Sequence, residues 1–563
     1  MVDEEKRTNE ALDASKKYNT VVEEANDYIE HFDILETITN VGNDEVFTPR
    51  KTCDMMLDSL PEEVWHNPLY KWLNPATKNG IFEREIALRL DKGLENVITN
   101  KEERRKHILQ NMIFSIGQTK FTSNVARRTL YYCSQANRKC DGLKASDGHY
   151  VNGYSIGNGS WFDDEEGNVK TPCTDHKIDP RTKKCEFCSI SYDSKYLDKN
   201  QREKYAYEFI HVNKGLSLSV HLSKRFFGGN RNMKFDIIIG NPPYQLSDGG
   251  SGPSASPIYN KFVEQAISLN PKYISMIIPS RWFAGGKGLD DFRDLMLKDR
   301  RIKSLTDYVN SADCFPNVDI AGGVCYFLWD RDYSGDCLVT TVRGKNKTVS
   351  KRPLNQFDIF IRSNESLSII DKIEKSGVKT MEDVVLARNP FGFESKARGQ
   401  DNEDKEHFIK LIHSQGYGYV SMSEVLKNKD LVDTWKISIG KLVPSNGEVG
   451  IDPSKGYMAM TQPRILKPYE VITDSYLVLG CFKTENEAVN FAQYMRQKFT
   501  RFLMHETYSS MNISKSNFRF VPFLDFTFKH LDQDLYKQFG FSKEEIDFIE
   551  QMIRPMSENG KDE

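Results

Sequence analysis

The stretch Phe235-Asp236-Ile237-Ile238-Ile239-Gly240-Asn241-Pro242-Pro243-Tyr244-Gln245 decides the fold of this chain. Its first five residues are largely apolar and β-branched, which is typical of a strand buried in a parallel sheet. Gly240 ends the run, and two prolines then force the chain out of the sheet, because proline fixes φ and has no N–H to donate. An amide, a carbonyl and an aromatic ring therefore project beyond the carboxyl end of the strand, where open α/β sheets bind ligands.

The residues beyond this strand predict methylation of a planar exocyclic amine. The side-chain oxygen of Asn241 and the carbonyl of Pro242 can both accept hydrogen bonds from one NH2 group, which turns the nitrogen lone pair towards an electrophilic methyl group. Pro243 completes the turn out of the sheet, and Tyr244 offers a face on which a base can stack, worth roughly 1–3 kcal/mol per base. The alternative is an ordinary proline turn after a core strand.

Length and composition limit the class of protein. A chain of 563 residues is expected to hold two or three domains, and 39% hydrophobic content supplies sizeable cores. The net charge is −3, so a nucleic-acid-binding surface would have to be local. No apolar run is long enough for a membrane span, and the first residues are polar, without the apolar segment of a signal peptide. These features predict a cytoplasmic protein that makes no membrane contact.

The chain before the central strand alternates between predicted strands and helices. Phe47-Thr48-Pro49-Arg50 predicts a helix start, with Thr48 as N-cap and Pro49 at the first helical position. A strand then enters the loop Asn74-Pro75-Ala76-Thr77-Lys78-Asn79-Gly80, which a helix follows. A second strand (112–116) and helix (122–132) complete a βαβα pattern, typical of a nucleotide-binding half. With one glycine, the loop alone is a weak signal.

The order of these motifs resembles a known enzyme family. Phe-Thr-Pro, then a Pro-Ala-x-x-x-Gly loop, then Asn-Pro-Pro-Tyr and a long C-terminal region is similar to the gamma-order adenine-N6 DNA methyltransferases of restriction–modification systems. The resemblance covers residues 41–345 and implies S-adenosylmethionine as the methyl donor. It places Thr48, Pro49 and the loop residues Asn74, Ala76 and Gly80 around the methionine half of that cofactor, and it implies a C-terminal target-recognition domain.

The sequence departs from the family pattern at two positions. The acid that usually opens the first loop is Asn74 here, and the acid expected after the second strand falls on Ile116-Gly117-Gln118. Gln118 can still hydrogen-bond to the ribose of the cofactor. A third strand is predicted over 205–212, from which Glu208 could reach the adenine end, although an exposed edge charge fits the pattern equally well. The departures leave open a catalytically inactive DNA-binding relative.

Residues 133–200 form a Cys-rich insertion with little apolar content. Cys173-x2-His176 followed by Cys185-x2-Cys188 has the paired spacing of a tetrahedral structural zinc site. Cys133 and Cys140 are alternative ligands to His176, and free surface cysteines are the alternative to a metal site. A loop-rich insertion of this length would need such a metal to hold its fold.

The region after residue 345 loses the alternating pattern. Residues 386–529 contain 19 basic and 16 acidic residues, and aromatic residues are interleaved with the basic ones. Capping boxes at Thr484/Glu487 and Ser542/Glu545 predict helix starts. Phe327, on a predicted late strand of the preceding region, matches the position where the family places an aromatic residue against the flipped base, although a core aromatic residue fits as well.

The sequence therefore predicts an α/β protein with a Rossmann-like methyltransferase sheet, a Cys-rich insertion and a C-terminal α+β target-recognition domain. We expect a helical lead-in at 1–40, a catalytic domain at 41–345 and a DNA-binding domain at 346–563. The predicted function is methylation of adenine N6 in duplex DNA by base flipping, with Asn241, Pro242, Pro243 and Tyr244 as catalytic residues. A separately encoded restriction endonuclease is an expected partner. Methylation of a ribosomal RNA base or of a glutamine amide is the alternative chemistry.

Overall fold

The chain forms two compact units. The first comprises Met1–Ile278 and Tyr326–Tyr333, and the second comprises Pro279–Cys325 and Ser334–Glu563. The structure, a computed structural model, describes residues 46–132, 166–191, 207–229, 234–245, 256–286, 288–316, 318, 320–443, 451–452 and 456–557. The predicted helical lead-in at 1–40, Cys133 and Cys140 lie outside the described residues.

The first unit is built on a largely parallel sheet. Its strands run in the order β3-β2-β1-β4-β5-β7, and β4 pairs in parallel with both β1 and β5. All four residues of β4 are buried, as expected for a strand covered on both faces. Numbered in chain order, these strands are β1 (Trp72–Thr77), β2 (Ile113–Gly117), β3 (Val169–Lys170), β4 (Ile237–Gly240), β5 (Tyr273–Pro279) and β7 (Val324–Asp330).

Helices connect these strands and carry apolar residues towards the sheet. The helix of the first βα unit runs from Ile81 to Gly93, which confirms the helix predicted after the glycine loop. The helices of the first unit are α1 (Arg50–Asp58), α2 (Glu63–His66), α3 (Ile81–Gly93), α4 (Lys101–His107), α5 (Lys120–Arg127), α6 (Leu216–Phe227) and α7 (Tyr259–Ser268). The alternation confirms the predicted α/β class.

Two local predictions are wrong. The predicted third strand is instead a 3-10 turn at Glu208–Ile210 among the described residues of that segment. Thr48 is not the N-cap of α1: Pro49 occupies that position with extended backbone, and no side chain caps the helix. The hydroxyl of Thr48 instead accepts a hydrogen bond from Asn241, a contact between residues distant in sequence.

The strands and helices of the second unit enclose two apolar cores among the described residues. One strand group has the order β6-β8-β9, and two three-stranded sheets have the orders β11-β10-β16 and β15-β12-β17. The strands are β6 (Ile302–Tyr308), β8 (Cys337–Arg343), β9 (Asn346–Arg352), β10 (His407–His413), β11 (Gly416–Ser421), β12 (Trp435–Gly440), β13 (Ile451–Asp452), β14 (Gly456–Tyr457), β15 (Arg464–Leu466), β16 (Glu470–Ile472) and β17 (Tyr476–Phe482). The larger core draws on residues from Phe357 to Ile553.

The helices of the second unit confirm both predicted capping boxes. Thr484 and Glu487 cap one helix reciprocally, and Ser542 and Glu545 cap another. The helices are α8 (Asp290–Lys298), α9 (Leu367–Lys375), α10 (Glu485–Arg496), α11 (Lys498–His505), α12 (Asp532–Gln538) and α13 (Lys543–Met552). Their mixture with short sheets is the α+β character predicted for the C-terminal region.

The predicted domain boundary after residue 345 falls in the turn between β8 and β9, whose strands pair along their whole length. The assignment of 41–345 and 346–563 to separate functions stays a prediction. Among the described residues, no helix has the length and apolar character that crossing a lipid bilayer requires.

Candidate active site

The loop after β1 packs closely against helix α5. Gly80 lies at the N-cap of α3 with φ of 79°. A Cβ atom there would lie 2.9 Å from the Cα of Ala126, so both the backbone conformation and the close approach require glycine. Asn74 and Ala76, which the sequence predicted in this loop, lie instead on β1 itself, and Ala76 is buried. The glycine thus allows the predicted cofactor loop to pack closely against α5.

A buried carboxylate lies beside Asn74. The amide of Asn74 donates to Glu83 Oε1 (2.8 Å), and the Asn74 side-chain oxygen accepts from the Ala76 N–H (3.1 Å). Ser115 Oγ donates to the same Glu83 oxygen (2.6 Å). Glu83 is only 1% exposed, and burial raises its pKa, although these hydrogen bonds act to lower it. Sequence reasoning missed Glu83, which stands in the first turn of the helix after the loop.

The end of β2 presents an amide. A Cβ at Gly117 would lie 1.9 Å from Ser123 Oγ, so this position has room only for glycine. Gln118 follows and is 2% exposed. Its Nε2 has no hydrogen-bond partner among the residues that the structure describes. Gln118 therefore offers a buried N–H donor, from which a hydroxyl oxygen of the cofactor can accept a hydrogen bond.

Asn241 is anchored through one side of its amide. Its Nδ2 donates to the Val46 carbonyl (3.2 Å) and to Thr48 Oγ1 (3.1 Å). Because a carbonyl oxygen can only accept, the contact with Val46 fixes which way round the amide lies. Lys78 Nζ donates to the same carbonyl (2.9 Å) and holds it in place.

The other side of the Asn241 amide is an acceptor without a donor. Asn241 is 2% exposed, and its Oδ1 has no hydrogen-bond partner within the described parts of the chain. Leaving such a group unpaired in the interior costs about 1–3 kcal/mol, so an unsatisfied acceptor calls for an explanation. A ligand N–H would satisfy it.

The residues after Asn241 continue as an irregular segment beyond β4. Pro242 and Pro243 are buried and Tyr244 is half-buried. The Tyr244 carbonyl accepts from the Ile258 N–H (3.2 Å), just before α7. This hydrogen bond ties the end of the Asn-Pro-Pro-Tyr segment to the start of a core helix.

The remaining predicted site residues take part in none of the contacts described above. Phe327 lies on β7 and its side chain is fully buried, as in a core aromatic residue; its contact with a flipped base stays a prediction. Glu208 Oε1 lies 2.8 Å from His221 Nε2 and 3.3 Å from Arg225 Nε, in an internal ion cluster. Burial alone would raise the pKa of Glu208, but the hydrogen bond from His221 and the charge of Arg225 lower it. A contact of Glu208 with the cofactor likewise stays a prediction.

Comparison with known proteins gives the family. The family described as "Eco57I restriction-modification methylase" matches residues 111–315. A relative from Mycoplasma pneumoniae, described as an "uncharacterized adenine-specific methylase", is 44% identical over 378 residues, which are 64% of this chain and 87% of the relative. The chain belongs to the family of adenine-specific methylases. The resemblance drawn from the sequence motifs is confirmed.

Two solved structures are also similar to this methylase. The DrdV–DNA complex matches 86% of this chain and 56% of its own, at 9% identity and a TM-score of 0.43. A modification subunit of a putative type I restriction enzyme from Vibrio vulnificus YJ016 matches 60% of this chain and 54% of its own, at 15% identity and a TM-score of 0.29. The chain spans about half the length of these two structures.

The methylase also gathers four metal-ligating side chains in its Cys-rich insertion and the segment that follows. His176, Cys185, Cys188 and His211 place their ligand atoms within 4.8 Å of one another. Cys173, predicted from spacing as a ligand, is exposed and does not belong to this group. Its backbone N–H donates to Glu208 Oε2 (3.3 Å) instead. Three of the four predicted ligands therefore meet, and His211 joins them.

Proposed function

We propose that this methylase transfers a methyl group from S-adenosylmethionine to N6 of an adenine in duplex DNA, as part of a restriction–modification system. The observation that carries the proposal is the buried, anchored Asn241 amide whose oxygen lacks a donor. Adenine N6 is an NH2 group that can supply that donor. We further propose that the enzyme works in the cytoplasm, beside a separately encoded restriction endonuclease, and that its insertion binds structural zinc.

The residues present fit the proposed cofactor. Gln118 supplies a buried donor at the end of β2, and the short segment from Lys78 to Gly80 supplies a close backbone turn after β1. Both Asn74 polar atoms are used within the protein, so Asn74 shapes the loop through Glu83. S-adenosylmethionine, bound here, supplies an electrophilic methyl group.

The chain's own contribution is to hold and polarise the amine. Asn241 Oδ1 and the Pro242 carbonyl each accept a hydrogen bond from the N6 amine, which reduces conjugation of the nitrogen with its ring and directs its lone pair. Positioning two such acceptors in a buried site, before the reaction begins, lowers the barrier without reorganisation. The base has to leave the duplex stack, at a cost of a few kcal/mol, and stacking on Tyr244 offsets part of that cost.

Modification sequencing of DNA from cells that express the chain tests this function. We expect N6-methyladenine at one short sequence motif, and none in cells expressing Asn241→Ala. Titration of the purified protein with S-adenosylmethionine is the companion measurement. If the protein binds the cofactor but modifies ribosomal RNA or a glutamine amide, DNA is not its substrate. If the protein binds no cofactor, it is the inactive relative that Asn74 and Gln118 suggest.

Thr48 acts in this proposal as a positioning residue for Asn241. Thr48→Val keeps the shape of the side chain and removes the acceptor for Asn241 Nδ2. A neutral hydrogen bond contributes about 0.5–1.5 kcal/mol, so we expect kcat to fall roughly 2- to 10-fold. Single-turnover methylation assays would measure this, with cofactor affinity unchanged. Thr99→Val, at an exposed position, is the matched control. Weakened cofactor binding with kcat intact would instead assign Thr48 to the cofactor.

We propose that residues 346–563 carry most of the DNA sequence recognition. Deleting them is a poor test, because Pro279–Cys325 belongs to the same compact unit and would lose its packing partners. Point substitutions avoid this problem. Arg519 is engaged with Asp358 (3.0 Å), whereas Lys515 is exposed at the start of a 3-10 turn and is the better candidate for a phosphate contact.

Lys515→Ala is expected to weaken DNA binding to a similar extent on specific and nonspecific sequences. Loss of one phosphate contact lowers the slope of log affinity against log salt by about 1, because one fewer counterion is released. Lys375→Ala is the control, since Lys375 is already paired with Asp371 (2.6 Å). Binding titrations at several salt concentrations would measure the slopes. Unchanged DNA binding in Lys515→Ala and in a scan of the other basic residues across 386–529 would refute this assignment.

A further inference from the structure

The buried thiols and imidazoles near the Cys-rich insertion come from two separate stretches of chain. His176, Cys185 and Cys188 lie in the insertion, and His211 follows the 3-10 turn Glu208–Ile210. Cys185, Cys188 and His211 are buried and His176 is half-buried. Four ligand atoms of the sulfur and nitrogen type within 4.8 Å of one another are the donor set of a tetrahedral structural zinc site.

Two of the distances between ligand atoms are close to those expected in a tetrahedral zinc site. His211 Nε2 lies 3.2 Å from His176 Nδ1, and Cys188 Sγ lies 3.4 Å from the same nitrogen. Zinc–nitrogen bonds of about 2.0–2.1 Å and zinc–sulfur bonds of about 2.3 Å, at tetrahedral angles, separate neighbouring ligand atoms by roughly 3.3–3.8 Å. The first of these distances lies just below that range and the second lies at its lower end.

The tautomer of His211 is the one that a metal ligand needs. Its Nδ1 lies 2.7 Å from the Tyr207 carbonyl. A carbonyl can only accept, so Nδ1 carries a proton, and Nε2 is the ring nitrogen left to bind a metal. A ligating histidine commonly donates its second ring N–H to a backbone carbonyl, which fixes the orientation of the ring.

The backbone around the two cysteines is folded tightly about them. The Cys185 N–H donates to the Ile190 carbonyl (2.9 Å), and the Ser189 N–H donates to the Cys185 carbonyl (2.8 Å). Ser189 adopts a positive φ of 64°, a conformation that a non-glycine residue adopts at some cost. This turn buries both thiols in a segment with few apolar residues, where a metal ion supplies the missing stabilisation.

We infer that His176, Cys185, Cys188 and His211 bind a structural Zn²⁺ ion, with His211 rather than Cys173 as the fourth ligand. The inference rests on the zinc ion proposed for the insertion and names its ligands. The ion joins the insertion to the segment around His211, two stretches that are far apart in the sequence. Cys173 is left on the surface as a free thiol.

The zinc site also supports the helix that follows the Asn-Pro-Pro-Tyr segment. Lys261, on α7, donates to the carbonyl of Phe187, between the two cysteine ligands. Gln265, on the same helix, donates to the Val212 carbonyl (2.7 Å), next to His211. Phe209 stacks on Phe262 with ring centroids 5.8 Å apart. The metal thus fixes two stretches that pack on α7. The backbone just before this helix is hydrogen-bonded to the Tyr244 carbonyl.

Metal analysis of the purified full-length chain tests the ligand set. We expect about one zinc per chain in the wild-type protein and in Cys173→Ser, and background zinc in Cys185→Ser and in His211→Ala. Zinc retained in His211→Ala but lost in Cys173→Ser would overturn the inference, while the proposed zinc site itself would stand. A wild-type chain that contains no zinc and takes up none would overturn both.

Cobalt substitution of the wild-type chain decides the question even if the variants fold poorly. We expect the visible spectrum of tetrahedral Co²⁺ and a thiolate charge-transfer band of the intensity that two sulfur ligands give. Cys173→Ser is expected to leave that spectrum unchanged. A band of three-thiolate intensity, reduced by Cys173→Ser, would contradict the role of His211. The affinity for S-adenosylmethionine is measured separately, so that a failure of the zinc inference can be told apart from a failure of the proposed methyl transfer.

Discussion

Asn241→Ala is expected to lower methyl transfer by at least about 10²–10³-fold, the loss typical when one preorganised polar group is removed from a reacting centre. The substitution removes the buried oxygen that is proposed to accept a hydrogen bond from the N6 amine. It leaves Val46 and Thr48, which anchor the amide, in place. We therefore expect the affinities for S-adenosylmethionine and for DNA to change little.

Single-turnover methylation, with cofactor and DNA binding measured in parallel, separates these effects. Asn96→Ala is the matched control, because Asn96 is an exposed amide in the turn after α3. A variant at Asn241 with near-wild-type turnover would remove the central assumption of the proposed mechanism. Loss of cofactor binding together with activity would indicate that Asn241 holds the cofactor loops in place and does not polarise the base.

The central strand and its neighbours were predictable because their signals are local. An apolar, β-branched run that ends at Gly240 and two prolines strongly favours a buried strand. The structure places this strand, β4, between β1 and β5. The capping boxes at Thr484 and Ser542 are local in the same way, since each bonds residues three positions apart. Such features follow from the sequence with no knowledge of the tertiary fold.

The site residues that sequence reasoning missed depend on pairing between distant segments. Asn74 and Ser115 are register partners on β1 and β2, and only that register brings both to Glu83. Thr48 was predicted as a helix cap because Asn241, its actual partner, is far away in sequence. Residue spacing alone carries no information about which distant polar groups will meet.

The same limit explains why the sequence predicted a strand around Glu208 and paired Cys173 with His176. The apolar residues around Glu208 predicted a strand, but His221 and Arg225 draw its carboxylate into the interior at a 3-10 turn. The Cys173-x2-His176 spacing suggested a ligand pair, yet only His176 faces the other thiols. His211 stands alone in the sequence, without a nearby Cys or His to mark it as a ligand.

Asp307→Ala is expected to destabilise the second unit by about 3–5 kcal/mol, the cost of leaving one member of a buried ion pair without its partner. Asp307 is fully buried and accepts two hydrogen bonds from Arg362, each 2.7 Å long. Ser280 Oγ donates to the same carboxylate (2.7 Å). The pair joins Pro279–Cys325 to Ser334–Glu563 within this unit, so its loss separates segments that are distant in sequence.

Denaturant unfolding of the full chain, followed by tryptophan fluorescence, would measure this loss, and Asp336→Ala is its control. Asp336 pairs with Arg300 at 3.5 Å on the surface, where an ion pair contributes about 0–1 kcal/mol. The double variant Asp307→Ala/Arg362→Met should recover part of the stability, since no unpaired charge then remains buried. Two outcomes would show that the pair does not join these two segments. Asp307→Ala would unfold at the wild-type midpoint, or the double variant would be less stable than Asp307→Ala by the free energy of a second lost contact.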